Sequence, residues 1–334
     1  PEAVLLPQPE ECYTLQQAML RQCAELQDRF AILDIYEGYR PRNQGDEDVI
    51  TRFREGIGYD YLQWGAAYYP WLETTIYSRD DVGLENVPDF EKQEAFKAQL
   101  EKLKASGLGE GEKDADLKVL SKALSTISPE AKRLFDEVRK ALNLLPPSAA
   151  MAGIYCMVDN NIGVHQSPAN VSVGSVVKPA VSVSGEEQDD LNVPLDGKAV
   201  NAIRTFPGKG VLVWGARTLD GNSLDWRYIS VRRTATFIEQ SIKYAVEAYV
   251  FEPNTASTWT NVRAMLTNFF TNVWQQGALA GATPEDAFSV DVGLGITMTP
   301  VDILDGILRI RVAAALTRPA EFIIFTFEQQ MQKS

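Results

Sequence analysis

Two short runs of almost unbroken apolar side chains, Phe30-Ala-Ile-Leu-Asp34 and Gly210-Val-Leu-Val-Trp-Gly215, most constrain what this chain can fold into. Neither offers a polar face, so a strand made from either must be covered on both sides of its sheet. The first ends in an acid, as strands of parallel α/β sheets often do. Leu15, Ala18, Met19 and Leu26 precede it at helical spacing. Helices beside doubly covered strands predict an α/β fold. With 334 residues, 45% of them hydrophobic, there is material for one large domain or two ordinary ones.

The pattern along the chain divides it. Residues 37–60 read as a loop with one helical stretch, and the aromatic patch Trp64-Gly-Ala-Ala-Tyr-Tyr-Pro-Trp71 reads as core. Residues 84–145 change character. Phe96, Leu100 and Leu103 share one helical face; Leu117, Leu120, Leu124 and Ile127 share another; Leu134, Val138 and Leu142 follow. Ser128-Pro129-Glu130 supplies a capping hydroxyl, a proline at the first helical position and an acid in the first turn. Gly107-Leu-Gly-Glu-Gly111 breaks two of these helices apart. The segment is expected to be a helical insertion on the surface. Ala152-Gly-Ile-Tyr-Cys-Met-Val-Asp159 fits a helix or a buried strand, and residues 160–200 read as turns and short valine-rich strands.

The last third is clearer. Ile238, Ile242, Ala245, Val246 and Tyr249 make one helix face, stopped by Pro253. Val262, Met265, Leu266, Phe269, Phe270 and Val273 make a second, ending near Gly277. Then the period becomes two: Phe288, Val290 and Val292 alternate with polar residues, and Leu308, Ile310, Val312 and Ala314 alternate with Arg309 and Arg311. The run Ala320, Glu321, Phe322, Ile323, Ile324, Phe325, Thr326, Phe327, Glu328, Gln329 has strand propensity on both faces. Left as an exposed edge it would be an aggregation hazard, so the run is expected either to pair within the chain's own sheet or, the preferred reading, to be donated to a neighbouring subunit. No internal repeat of 20–50 residues appears.

Charge and composition exclude several functions. The net charge of −13, without a dense Lys/Arg cluster, argues against nucleic-acid binding. Cys12, Cys23 and Cys156 do not pair completely and show no CxxC spacing, so they read as buried thiols of a protein made in the cytoplasm. No apolar run reaches the length of a membrane span, and no secretory signal opens the chain. The first residue is Pro1, so the start is read as processed or as lacking a leading segment.

Chemistry is hard to assemble. His165 is the only histidine, and no Gly-x-Ser-x-Gly elbow accompanies it. Gly107-x-Gly109-x-Gly111 lacks dinucleotide-fingerprint spacing, and Pro207-Gly-Lys-Gly210 precedes a strand where a phosphate cradle needs a helix start. Glu186, Glu187, Asp189 and Asp190 read as a solvated charge run in a polar loop. Asn170-Val-Ser172 matches a glycosylation sequon, but nothing points to a secretory route. No catalytic residue, cofactor or metal is therefore assigned.

Several stretches, in order, resemble the contractile tail sheath family. They are Tyr68-Tyr-Pro-Trp-Leu72, Pro146-Pro-Ser-Ala-Ala-Met-Ala-Gly-Ile-Tyr155 with Asp159, and Gly163-Val-His-Gln-Ser-Pro-Ala-Asn170. Gly210-Val-Leu-Val-Trp-Gly-Ala-Arg-Thr-Leu219, Tyr228-Ile-Ser-Val-Arg-Arg233, Phe251-Glu-Pro-Asn254, Gly306-Ile-Leu-Arg-Ile-Arg311 and Arg318-Pro-Ala-Glu-Phe-Ile323 follow. The resemblance spans roughly residues 60–330 and skips the insertion. The family's N-terminal arm, with its Pro-Gly-Val-Tyr-like motif, has no counterpart here and is read as lost or supplied elsewhere.

The resemblance implies a subtilisin-like α/β core domain over residues 1–218, without a protease site and with the insertion at about 84–145. A smaller α+β domain, 219–334, follows, ending in an exchanged strand at about 320–334. It implies a non-enzymatic subunit that stacks as hexameric rings around an inner tube, contracts, and drives the tube through an envelope. Implied partners are further copies of the chain, the tube protein, and baseplate and cap proteins, with no nucleic acid and no membrane insertion. Assembly is expected in the bacterial cytoplasm, for a virion tail or a cell-bound or released injection machine. By the same analogy the tube contact is expected on the helices between Arg232 and Gly277, with Arg233, Glu239, Lys243 and Glu247 lying off the apolar stripe. Competing readings are an α/β hydrolase-like enzyme and a monomeric scaffold or binding protein.

Overall fold

The computed structural model describes residues 1–43, 48–90, 93–94, 96–106 and 114–321. The glycines at 107, 109 and 111 and the terminal stretch Phe322–Gln329 lie outside the described residues. The described strands are β1 (Ala31–Asp34), β2 (Gly65–Tyr69), β3 (Leu72–Thr74), β4 (Leu144–Leu145), β5 (Val171–Ser172), β6 (Val176–Pro179), β7 (Val200–Phe206), β8 (Gly210–Trp214), β9 (Phe288–Val292) and β10 (Ile310–Ala314). They form a mixed sheet in the order β1-β2-β7-β8-β5, an antiparallel trio β4-β3-β6, and a separate two-stranded ribbon β9-β10. In the first sheet β1, β2 and β7 run parallel, and β8 and β5 continue antiparallel.

Successive side chains of a strand point to opposite faces, and here both faces are covered. Leu33, Ala67, Tyr69, Val200 and Ala202 pack with helix α1 (Pro9–Leu26) and helix α2 (Val49–Gly56), through Leu20, Ile50 and Phe53. Their neighbours Ala66, Tyr68, Ile203, Val211 and Val213 face the other core. Every residue of β2 is buried, which explains why its sequence carries no alternation.

The segment after β3 builds a core of its own. Helices α3 (Lys97–Ala105), α4 (Asp114–Ile127) and α5 (Pro129–Leu142) enclose Leu100, Leu120, Leu124 and Phe135, together with Val82, Leu84 and Phe96. The Ser128 hydroxyl accepts from Ala131 N at 3.2 Å, capping α5 as its sequence implies. The segment's two ends are tied: Tyr77 N donates to Asn143 Oδ1 and Asn143 Nδ2 donates to Tyr77 O, both at 2.9 Å. Residues 144–145 already belong to the sheet, as β4 paired with β3.

Residues 152–159, open between helix and strand, lie in helix α6 (Ser148–Asn161), which lays Met151, Ile154, Tyr155 and Val158 on the second core. The acids 186–190 are not in a loop but on helix α7 (Gly185–Asn192), started by a capping box between Ser184 and Glu187. The acid-rich, weakly amphipathic composition hid that helix. Helix α8 (Ile229–Glu247) and helix α9 (Ala256–Gln275) follow. Pro253 does not terminate α8. The helix ends at Glu247, and the chain then turns through bonds from Val250 N to Glu247 O and from Glu252 N to Tyr249 O, with Phe251 at φ +69°. The short helices α10 (Pro284–Ala287) and α11 (Pro300–Leu304) flank β9 and β10. Phe270 and Val273 of α9 pack with Ala287, while Val262 and Leu266 pack with Val292.

Candidate functional site

Helix α8 is the first place where polar side chains gather. Its first turn is sunk in the doubly covered sheet: Ile229 is in the core with Ala66 and Tyr68, and its N–H donates to Ala216 O at 3.0 Å. One turn later the buried Arg232 guanidinium lies between two indoles, 4.3 Å from the Trp64 ring centre and 4.2 Å from that of Trp226. Burial pulls its pKa down, and the Glu239 carboxylate, 3.0 Å away, opposes that. A guanidinium suits such a slot because its charge is delocalised and its faces stack.

Arg233 reaches the other way. It grips Asp159 at the end of α6 with two bonds of 2.9 and 2.5 Å and lies 4.7 Å from the Tyr155 ring centre. Tyr155 and Tyr68 share a hydrogen bond of 2.7 Å, and burial raises both phenol pKa values. Ile238, one turn beyond, is in the core of α9 with Phe270.

The second place is where the chain returns from the ribbon. Leu316 pairs with Leu279, Thr317 N donates to Ala278 O at 3.1 Å, and the backbone then crosses back to the first sheet. There Glu321 accepts two bonds from Arg217, at 2.8 and 2.7 Å, one from Asn192 at 2.8 Å and one from the Tyr228 hydroxyl at 3.1 Å. Burial alone would raise the Glu321 pKa; the bonds from Arg217 and Asn192 and the Arg217 charge outweigh it and hold the carboxyl below its usual range. Arg217 is 2% exposed, and its backbone is fixed by Asn201, which accepts from Arg217 N and donates to Arg217 O, both at 2.8 Å. A groove of about 710 Å³ runs beside this junction, lined by residues that include Asn170, Gln188, Trp214 and Pro319.

The other named groups fall elsewhere. Asp190 meets Arg42 at 2.5 Å and Arg54 at 3.1 Å; these arginines overcome its burial and lower its pKa, so it is a tied ion and not a freely solvated one. Buried Lys198 donates to Arg54 O beside them. His165 lies in the loop after α6, and the nearby Ser167 hydroxyl meets that of Ser230 at 3.3 Å. Pro207–Gly210 forms the β7–β8 turn, with Lys209 N donating to Phe206 O. Among the described residues no group of three or more His, Cys, Asp and Glu is placed to hold a metal. No helix of the described residues is long and apolar enough to cross a membrane.

Of the four charges named for a tube contact, Arg233 and Glu239 are engaged within the chain, while Lys243 and Glu247 are exposed on the distal half of α8. Sequence reasoning did not find the Arg217–Glu321 pair. Its signal was present: Arg217, Tyr228 and Glu321 each sit in one of the stretches that carry the family resemblance.

Comparison with known proteins agrees with this architecture. Residues 222–330 match the phage tail sheath C-terminal domain family. No curated protein matches. Among solved structures, the sheath complex of an extracellular contractile injection system, PVC, in its contracted state is 32% identical with a TM-score of 0.62, covering 90% of this chain and 64% of that one. The helical sheath of the anti-feeding prophage (AFP) in its contracted state is 31% identical with a TM-score of 0.62, covering 97% of this chain and 68% of that one. The AFP baseplate in its contracted state matches at 25% identity and a TM-score of 0.68, covering 98% of this chain and 67% of that one. The chain thus spans about two thirds of the length of these solved chains. Identity above 30% over nearly the whole chain, on a shared fold, places it: the chain belongs to the contractile tail sheath family.

Proposed function

We propose that this chain is a structural, non-enzymatic subunit of a contractile sheath. It polymerises as stacked hexameric rings around an inner tube, contracts, and drives the tube through a target envelope, with baseplate and cap proteins at its ends. The observation that carries this reading is the 31% identity to the AFP contracted sheath over 97% of the chain. Residues 1–218 form the subtilisin-like core domain, the helical segment that ends before β4 an outward insertion, and residues 219–334 the domain facing the tube. Lys243 and Glu247, with Arg233 and Glu239, supply polar contact to that tube. Polar contact of this kind suits a surface that must release.

The subunits are linked by a terminal strand, drawn from within residues 320–334, added to a neighbour's sheet. The β9–β10 ribbon supports this. Among the described strands its two members pair only with each other, leaving an open edge on each side, while one face is covered by α9. A two-stranded ribbon is marginal alone, and a donated strand completes it. The test is electron microscopy of the purified protein beside a variant lacking residues 322–334. Tubes or stacked rings from the full chain, and folded but dispersed subunits from the variant, are expected. Dispersed particles from the full chain under all assembly conditions overturn the reading.

A further inference from the structure

We propose that the Glu321–Arg217 contact is a latch closed within each subunit, so that strand exchange begins only beyond residue 321. The inference rests on the strand-exchange reading. Beside the first sheet, just past β8, lies a buried cation, Arg217, whose only carboxylate partner among the described residues arrives from 104 positions downstream. A buried charge without its partner is strongly destabilising, so the sheet holds a vacancy that one particular side chain fills. The match is specific. Arg217 offers its Nε and Nη2 edge to both carboxylate oxygens, Asn192 supplies a third donor and Tyr228 a fourth. Arg217 cannot swing away, because Asn201 holds its backbone and its Nη1 donates to Gly221 O at 2.9 Å.

The latch also sits where it has leverage. Upstream, Thr317 is bonded to Gly277 and Ala278, so the segment 317–321 is fixed at both ends. Pro319 between them restricts its own backbone and that of Arg318. Everything up to Glu321 therefore stays with its own subunit, and the swivel point is the peptide that follows Glu321, not Pro319. The latch sets the position and direction from which the terminal strand departs.

The test is cross-linking that keeps the latch intact. Asp189 and Ala320 are exposed and line the same groove as Glu321. Asp189→Cys with Ala320→Cys, in a background where the exposed Cys156 is serine, is treated with a short flexible bis-maleimide. In the soluble subunit an internal cross-link is expected, and adding Glu321→Gln lowers its yield several-fold while the far-ultraviolet spectrum stays unchanged. Equal yield with Glu321→Gln overturns the latch. In assembled tubes the cross-linked protein is expected to run as a monomer on a denaturing gel. A covalent ladder overturns the proposal, since it places residue 320 on a neighbour. Failure of the parent protein to form tubes counts against the sheath reading, and the soluble-subunit result then decides the latch by itself.

Discussion

Arg233 of α8 and Asp159 at the end of α6 meet in a double hydrogen bond, 2.9 and 2.5 Å long, with both side chains only partly exposed. This changes how a charge-reversal series on α8 will read. Arg233→Glu sets two acids against each other and is expected to cost the isolated subunit about 1–3 kcal/mol, less than a fully buried pair because solvent screens both groups. Thermal melting of the subunit checks this. A melting point equal to the parent's shows that the pair is idle.

Lys243 and Glu247 give the cleaner probe of a tube contact, since both are exposed and Lys243 acts only weakly on the exposed Asp28 carboxylate. Lys243→Glu and Glu247→Lys are expected to leave the melting point unchanged and to weaken association with the inner tube, the loss being larger at low ionic strength. Sedimentation of sheath with tube over a salt series measures it. Unaltered co-sedimentation places the contact elsewhere.

Gly215 is held to glycine by a neighbour and not by its own backbone angles. A Cβ there would lie 2.7 Å from Asn201 Oδ1 and 2.9 Å from Asn201 Cα. Asn201 has no room to retreat, being bonded to Ala67 O and to both backbone groups of Arg217. Gly215→Ala is expected to destabilise the subunit by about 1–3 kcal/mol through overpacking. A denaturant titration with an unshifted midpoint would contradict it.

The pH dependence of the Glu321 contact has a definite sign. The folded-state pKa is lowered from the ordinary value. The contact therefore contributes its full stability above the unfolded pKa of about 4.3 and loses it as pH falls through the depressed folded value. The melting-point gap between the parent and Glu321→Gln should be constant through neutrality and close only below about pH 4. A gap that closes between pH 5 and 7 would assign the effect to another group.

The helical insertion should be removable if the cut respects Asn143. Tyr77 and Asn143 bond reciprocally, so a few Gly/Ser residues bridge Ser78 to Asn143. Such a replacement of residues 79–142 is expected to give a folded subunit, because the removed part encloses its own core. Extending the cut through residue 145 removes β4 and its pairing to β3 and should lower the yield of soluble protein.

The sequence made the fold legible where side-chain burial is lopsided or total. The apolar runs at 30–34 and 210–215, the stripes on α8 and α9, and the alternation of 288–292 with 310–314 each report a face or a pair of faces. It was less legible where local and long-range terms compete. Helix α7 reads as a charge run because its stability comes from a capping box and from Asp190 meeting arginines 148 and 136 positions away. The Glu321 site was equally hidden: a glutamate before an aromatic run looks like a strand residue until folding brings Arg217, Asn192 and Tyr228 around it.

Helix α8 has one more consequence. Its 19 residues span roughly 28 Å. One end is pinned between Trp64 and Trp226 and tied to Asp159; the middle is embedded through Ile238 with Phe270, and Val246 near the other end packs with Val262 and Val292. An unbroken helix clamped at both ends behaves as a stiff lever. Torque applied to the ribbon end reaches the first sheet with little elastic loss, because no loop interrupts the path. In the proposed sheath, such parts are expected to keep their shape, with the compliance in the joints between copies.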